Sequence, residues 1–470
     1  MPQPPKTNIL VELLPRLLGP MVTGLAVSVS MWCAWVVLHH PAVGLRPRVS
    51  GPILIVIQVL ALARYSSRWR SSVHPVATTL LGVVTGAFSG VFNLCALSSI
   101  LVEQSSPAGG MNVTNQLLAG GDRPSLWIVI PGYLALSLAM GLVGGAIAHL
   151  VSSDRPTAPS TPSDWLGRLA RITLAAVFPL LILGGLVTST GSGLAVPDWP
   201  TTYGGNMFLY PISLMASDSH VYVEHSHRLF GVLVGFSTLI LALMATRVDA
   251  RPWVWKWAWA CFALVCAQGV LGGLRVSMPT QTKALIHGVL AQLIFGMLAA
   301  LAAYLSDAYR APTPSFVPGD RARRTWATLT LHLLIIQLIM GAMYRHTGQV
   351  HALYTHIGLS LLVLAATVVA GAVASKRPSD GTPQTAIFGK AGLFVGFVVA
   401  IQFMLGGGAF FAVPPGSHKP VPSANELPSV APVESWKPLV RTAHQGNGAL
   451  LLAGVSFLAV HCRRLPRTKP

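Results

Sequence analysis

The sequence predicts an all-α polytopic membrane protein of about twelve transmembrane helices, the last eight as two tandem four-helix bundles. Three observations predict it. Of the 470 residues, 52% are hydrophobic and only 10% charged, where a soluble domain carries about a quarter charged. Apolar stretches near the roughly 20 residues that cross a bilayer recur along the whole chain. Within the last eight of them one hairpin is written four times: helix, glycine-rich exit, connecting segment, histidine-bearing helix start.

The first four stretches, 17–38, 50–65, 75–101 and 126–151, make an N-terminal extension over residues 1–151. The second is short and the third long and glycine-bearing. The first 16 residues lack a signal-peptide cleavage pattern, so the first stretch is expected to stay as a helix. Residues 152–165 are polar and proline-bearing and mark a boundary. Stretches 170–190, 225–246, 254–275 and 283–306 form the first bundle, within 166–310. Stretches 325–345, 352–375, 388–412 and 440–461 form the second, within 320–465.

Lys and Arg total 32 against 14 Asp and Glu, a net charge of +18. The basic residues sit in 151–171 (Arg155, Arg168, Arg171), 247–256, 307–324, 376–390 (Lys376, Arg377, Lys390) and 463–469 (Arg463, Arg464, Arg467, Lys469). Segment 191–224 has none, and 413–440 has only Lys419 and Lys437. Basic loops stay in the cytoplasm, which places both termini inside and the histidine-bearing helix starts outside. Dispersed over loops instead of massed in one arm, the charge reads as topology; membrane lipids are expected partners and nucleic acid is not.

Four histidines carry the repeat: His227, His287, His356 and His444. The helices before them end in Gly184-Gly185, Gly272-Gly273, Gly341-Ala342 and Gly406-Gly407-Gly408. Gln268 precedes His287 by 19 residues and Gln337 precedes His356 by 19, while Gly185 precedes His227 by 42 and Gln402 precedes His444 by 42. Imidazole is scarce in hydrocarbon because its nitrogens need partners there. Four at matched depth point to metal ligation, and in a helical membrane bundle the usual metal is heme iron. Each bundle holds two of them. The cysteines, Cys33, Cys95, Cys261, Cys266 and Cys462, form no Cys-x-x-Cys pair. Neither a zinc site nor a disulfide is expected, and any heme would be held without covalent attachment.

Around the first histidine the chain reads Glu224-His225-Ser226-His227-Arg228. On a helix, Glu224 shares a face with His227 and Arg228, while His225 points roughly the other way. Ionisable groups beside a candidate ligand at a membrane edge mark a functional site or a helix-start ion pair. Trp199 fits an interfacial loop anchor. His346 and His351 compete with His356, which is preferred for its spacing from glutamine. His332 is expected to satisfy a helix–helix hydrogen bond, His225 is a secondary candidate, and His418 and His461 read as loop and terminal residues.

Several motifs occur in order over about residues 170–462. They are Gly-Gly-Leu-Val from 184, Thr-Gly-Ser-Gly-Leu-Ala-Val-Pro-Asp-Trp-Pro from 190 and Glu-His-Ser-His-Arg-Leu-Phe-Gly from 224. Leu-Gly-Gly-Leu-Arg-Val then precedes His287-Gly288, Arg345-His346-Thr347-Gly348 precedes His356, and Ala443-His444-Gln445 follows. This set resembles the heme A synthase family of bacterial and mitochondrial membranes. The resemblance implies an oxidoreductase of the bacterial cell (inner) membrane that oxidises the C8 methyl of heme O to a formyl group, in two hydroxylations, giving heme A for terminal oxidases. It implies heme O between His227 and His287, and heme b, the cofactor, on His356 and His444. Glu224 would act at the methyl group, making Glu224, His227 and His287 the catalytic set. Arg228 or Arg275 would meet heme propionates. Assembly contacts with heme O synthase and the terminal oxidase are implied, and the electron acceptor is not named.

Two departures stand out. Many bacterial members carry a cysteine pair flanking Pro-Asp-Trp-Pro, where this chain has Val196 and Thr202, so a loop thiol step is excluded. Residues 1–151 match nothing in the family and read as an accessory or assembly-contact module. Two rivals stay open: a diheme b-type electron carrier linked to quinone, and a transporter built on repeats. A simple carrier has no need of a carboxylate beside one ligand. A transporter should hold its polar residues near the bilayer midplane, whereas here they cluster at the outer edge.

Overall fold

The computed structural model describes residues 9–45, 47–67, 75–97, 126–151, 160–312, 320–376, 383–412 and 436–464. Most of the expected boundary at 152–165 and most of segment 413–440, with Arg155, Arg377, His418, Lys419, Arg467 and Lys469, lie outside the described residues, as does the side chain of Cys95.

Among the described residues the chain is all helix apart from an isolated bridge between Thr202 and Gly205. The helices are α1 (Ile9–Leu38), α2 (Pro47–Ser66), α3 (Pro75–Leu97), α4 (Leu126–Val151), α5 (Pro162–Thr190), the short α6 (Ile212–Ala216), α7 (Ser219–Val248), α8 (Pro252–Ser277), α9 (Gln281–Tyr304), the short α10 (Asp307–Arg310), α11 (Asp320–Thr347), α12 (Val350–Ser375), α13 (Pro383–Ala412) and α14 (Trp436–Arg464). Eleven are long and apolar enough to cross a membrane, and α3 contributes a shorter apolar run, Thr78–Leu94. This is an all-α polytopic membrane protein. Helices overrun the apolar stretches because polar end residues continue the helical hydrogen bonding. Thus α7 begins at Ser219, not at 225, which carries Glu224 and His227 inside the helix.

The chain divides into two compact units. One comprises Met1–Ile172 with Thr201–Leu233; the other comprises Thr173–Pro200 with Val234–Pro470. The division falls within α5 and within α7, so the expected extension shares its unit with the segment carrying Glu224 and His227.

In the first unit, glycines bring helices together. Gly82 and Gly86 on α3 meet Gly141 and Gly145 on α4, where a Cβ at Gly145 would stand 3.0 Å from the Thr79 carbonyl. A Cβ at Gly24 on α1 would stand 2.7 Å from Phe88 Cβ on α3, and one at Gly144 on α4 would stand 2.6 Å from Leu62 Cβ on α2. Lipid is as apolar as leucine, so close backbone approach replaces the hydrophobic drive of a soluble core. Ser28 adds a bond to the Ser89 carbonyl, 3.2 Å.

In the second unit, Val395, Leu451, Val455 and Cys462 belong to a core built largely by α11–α14. Helix α9 joins α14 through Gly296, where a Cβ would lie 3.2 Å from Ser456 Oγ. Near the end of α7, Asp249 holds Arg251 through two bonds of 2.9 and 2.7 Å, and Arg251 reaches the Tyr304 carbonyl at 3.1 Å. Arg464 lies over Tyr309, 4.9 Å from the ring centre. His461 is buried against Phe457 and Tyr309, not a loose terminal residue. A second expectation also changes. His332 is exposed and bonds the Thr328 carbonyl of its own helix at 2.7 Å, so it makes no helix–helix bond.

Candidate functional site

The repeated hairpin has a physical form, clearest in the second unit. His356 on α12 and His444 on α14 stand with ring centres 6.2 Å apart and planes at 82°. Each lies on a glycine of the preceding helix. A Cβ at Gly341 would come within 2.7 Å of His356 Cε1, and one at Gly406 within 3.2 Å of His444 Cε1. Each also meets the glutamine that the spacing singled out. His356 Nδ1 lies 2.9 Å from the Gln337 carbonyl, which can only accept, so this contact fixes the proton on Nδ1. Gln337 Nε2 returns a bond to the His356 carbonyl at 2.9 Å. Gln402 Nε2 lies 3.2 Å from His444 Nδ1, and its Oε1 accepts from Asn447 Nδ2 at 2.8 Å. Such outer partners orient an imidazole; the same amides also lie 3.4 Å from His356 Nε2 and 3.5 Å from His444 Nε2.

His287 on α9 repeats the pattern. A Cβ at Gly272 would stand 3.2 Å from its Cε1, and Gln268 Nε2 donates to the His287 carbonyl at 2.7 Å. The 19-residue spacing is therefore one turn-to-turn contact used twice. His346 lies in the last turn of α11 beside Gly288, where a Cβ would be 3.1 Å from its Nε2. His351 is exposed in the first turn of α12. His356, not these two, faces His444.

In the first unit, Glu224 is 4% exposed and pairs with Arg228 at 2.7 Å, one turn along α7. Arg228 Nη1 donates to the Thr201 carbonyl at 3.1 Å, tying the loop to the pair. His225 is fully buried; its Nδ1 lies 3.2 Å from Thr202 Oγ1 and its ring 5.4 Å from that of Tyr210. It holds the loop. Thr202 is thus a hydrogen-bonding residue of that loop. His227 follows Glu224 by three residues and is half-buried. The structure joins Glu224 with Arg228 and His356 with His444; His227 and His287 belong to different units. In the second unit Trp199 packs on Gly273, where a Cβ would strike its ring, and Arg275 Nη2 would be 3.8 Å from a Cβ at Gly193.

Two arginines beside the second pair escaped notice as site residues. Arg345 Nη2 donates to the Gly185 carbonyl at 2.9 Å and to Ser189 Oγ at 2.8 Å, and its Nε has no partner among the described residues. Its charge acts on Arg441 and on His444. No carboxylate pairs with either arginine among the described residues. Arg345 stood in a quoted motif and Arg441 three residues before His444; the signal available was a guanidinium inside an apolar helix.

These residues fit a heme. Two metal–imidazole bonds of about 2 Å each, with the ring radii added, span about 6 Å between ring centres, the separation of His356 and His444. Two cations with no carboxylate partner among the described residues suit the two propionates of a porphyrin. Among the described residues no three His, Cys, Asp or Glu side chains converge on one point. A bare ion lacks a ligand set here, whereas a porphyrin brings four ligands of its own.

Residues 167–354 match the COX15-CtaA family model, described as cytochrome oxidase assembly protein. The heme A synthase of Methylobacterium sp. (strain 4-46) is 31% identical over 197 residues, 39% of this chain and 54% of its own length. That of Methylorubrum populi is 29% identical over 217 residues, 43% and 56% respectively. That of Methylorubrum extorquens (strain PA1) is 29% identical over 216 residues, again 43% and 56%. The chain spans about half the length of these curated relatives. No solved structure matches. The family match covers Glu224, His227, Arg228 and His287 and stops two residues short of His356; residues 1–166 stand outside it. Over residues 167–354, the chain is similar to the COX15-CtaA family, whose model is described as cytochrome oxidase assembly protein.

Proposed function

We propose that the chain is a heme A synthase that oxidises the C8 methyl of heme O to a formyl group. The observation that carries the reading is an asymmetry. Glu224, buried and paired with Arg228, stands one turn from His227, whereas no acid lies within four residues of His287, His356 or His444. The relatives' names and the family match support it.

His227 and His287 are the proposed ligands of the substrate. Paired with Arg228 at 2.7 Å, Glu224 would be an acceptor able to draw a proton from an attacking water or steady positive charge at the methyl group. Arg228 donates to Glu224 and to the Thr201 carbonyl, and would also meet a heme propionate. His356 and His444 would hold heme b, with Gln337 and Gln402 orienting them and Arg345 and Arg441 meeting its propionates. Bis-histidine heme supplies one-electron transfer. The basic loops support cytoplasmic termini; a bacterial cell (inner) membrane site and assembly contacts with heme O synthase and the terminal oxidase are proposed from the likeness to the family.

The test is expression in a host that makes heme O but no heme A, followed by pigment extraction. Heme A is expected from the parent. Glu224→Gln should keep heme b and lose turnover, and His444→Ala should lose heme b. Bound heme b without heme A or its hydroxylated precursor would sink the enzyme and favour the diheme carrier.

A further inference from the structure

We infer that the N-terminal extension is the backstop of the reaction site, with Trp35 and Tyr222 as positioning residues for Glu224. This deepens the heme A synthase reading and rests on it. Residues Thr201–Leu233, which include the Glu224–His227 turn, form one compact unit with the extension. Their junction is an aromatic clamp. Trp35 of α1 stacks on Tyr222 of α7 at 6.2 Å between ring centres, and Trp32 meets Phe230 edge-on at 5.3 Å. All four rings are at most 1% exposed. The edge of His40 closes on Tyr222 at 5.4 Å.

One polar bond sets the register. Tyr222 Oη donates to the Val36 carbonyl at 2.8 Å. Val36 lies in the last turn of α1, where carbonyls have no helical N–H of their own. Sliding α7 along α1 would therefore strand a carbonyl and a hydroxyl together.

The helical repeat places this clamp behind the reactive face. Tyr222, Ser226 and Phe230 recur every four residues and form one stripe on α7. Glu224, two residues on from Tyr222, lies on the other side of the helix with Arg228 one turn further. Ring contacts fill the back of the helix, and the carboxylate occupies the front. The support behind α1 has little slack. Gly24 lets α1 rest on Phe88 and Ser89 of α3, and Gly82 and Gly86 seat α3 on α4. From α4 to Glu224 the load passes through glycine contacts and fully buried rings, so a shift of the clamp is a shift of the carboxylate.

The test uses the full chain carrying heme b. Trp35→Ala should lower kcat by about 10-fold or more with the KM for heme O within about twofold, since a misplacement near 1 Å can cost about 100-fold. Trp35→Phe should recover most of the loss. Tyr222→Phe, which removes one hydroxyl and leaves the ring, should lower kcat by about threefold. The independent readout is the infrared carboxylate band of Glu224, identified by its loss in Glu224→Gln; it should shift in Trp35→Ala. Unchanged kcat per heme b in both Trp35→Ala and Tyr222→Phe, or a band that does not move, overturns the inference. So does a loss confined to protein yield. An active Glu224→Gln, or a parent that makes no heme A, defeats the enzyme reading instead, and the band shift still tests the clamp.

Discussion

Replacing Gly341 by alanine should separate a glycine that seats a ligand from one that does not. An added Cβ would lie 2.7 Å from Cε1 and 3.0 Å from Nδ1 of His356. Carbon atoms rest at about 3.5 Å, so the ring must retreat by about 0.8 Å. Nδ1 is tied to the Gln337 carbonyl at 2.9 Å, and the retreat strains that bond. Overpacking costs about 1–3 kcal/mol, against about 1 kcal/mol recovered by alanine over glycine in a helix. Net destabilisation is then about 0–2 kcal/mol, while disturbing the outer partner of a metal-bound imidazole costs about 10- to 100-fold in affinity. Two neighbours serve as comparisons. At Gly406 the distance to His444 Cε1 is 3.2 Å, so Gly406→Ala should lose only a fewfold. At Gly407 nothing lies within 4 Å, so Gly407→Ala should bind heme b as the parent does. The assay is heme b per purified protein, with a thermal melt of each variant. If Gly341→Ala bound heme b as tightly as Gly407→Ala, the glycine would not be the seat of His356 and the hairpin argument would fail.

Arg345→Leu should weaken heme b binding by about 10-fold or more, the worth of a hydrogen bond to a charged group, read by optical titration; unchanged affinity would remove the propionate role. Acid should loosen the first unit. His39 Nδ1 bonds the Trp35 carbonyl at 3.1 Å and its Nε2 meets Ser50 Oγ at 3.1 Å, so the neutral ring satisfies both nitrogens. Burial lowers His39 below its ordinary 6.5, outweighing the Trp35 carbonyl that raises it, and burial lowers His40 too. A lowered folded value means the unfolded chain takes protons first. The stabilisation is full above pH 6.5 and is lost as pH falls through and below it. Melting temperature should drop on going from pH 7.5 to about 5.5, and less so in His39→Gln; a flat profile in the parent would refute this.

Most of the architecture was legible in the chain because hydrocarbon imposes a strong rule. A helix must be about 20 apolar residues long, so membrane spans are written as length and composition. The count differs only at α3, a helix over Pro75–Leu97 that contributes the apolar run Thr78–Leu94. The histidine repeat was also local information. Its 19-residue interval is the path down one helix and up the next, which Gln337 and His356 realise in contact. Glu224 and Arg228 were readable as a pair because one helical turn separates them.

Other features depended on distant parts of the chain meeting. Arg345 finds Gly185 and Ser189 across more than 150 positions, a pairing without periodicity. His332 and His461 exchanged their expected settings, because exposure is decided by neighbouring helices and not by depth along one. The extension shows this most plainly. Composition alone marks residues 1–151 as membrane helices with few ionisable residues inside their apolar stretches. Only packing sets Trp35 on Tyr222, 187 positions away, and so makes the extension one body with the Glu224 turn. Sequence determined which residues could ligate and react, since that chemistry is carried within a turn or a hairpin. Tertiary structure decided what holds them, since ring stacking and glycine contacts are fixed by shape between helices far apart in the chain.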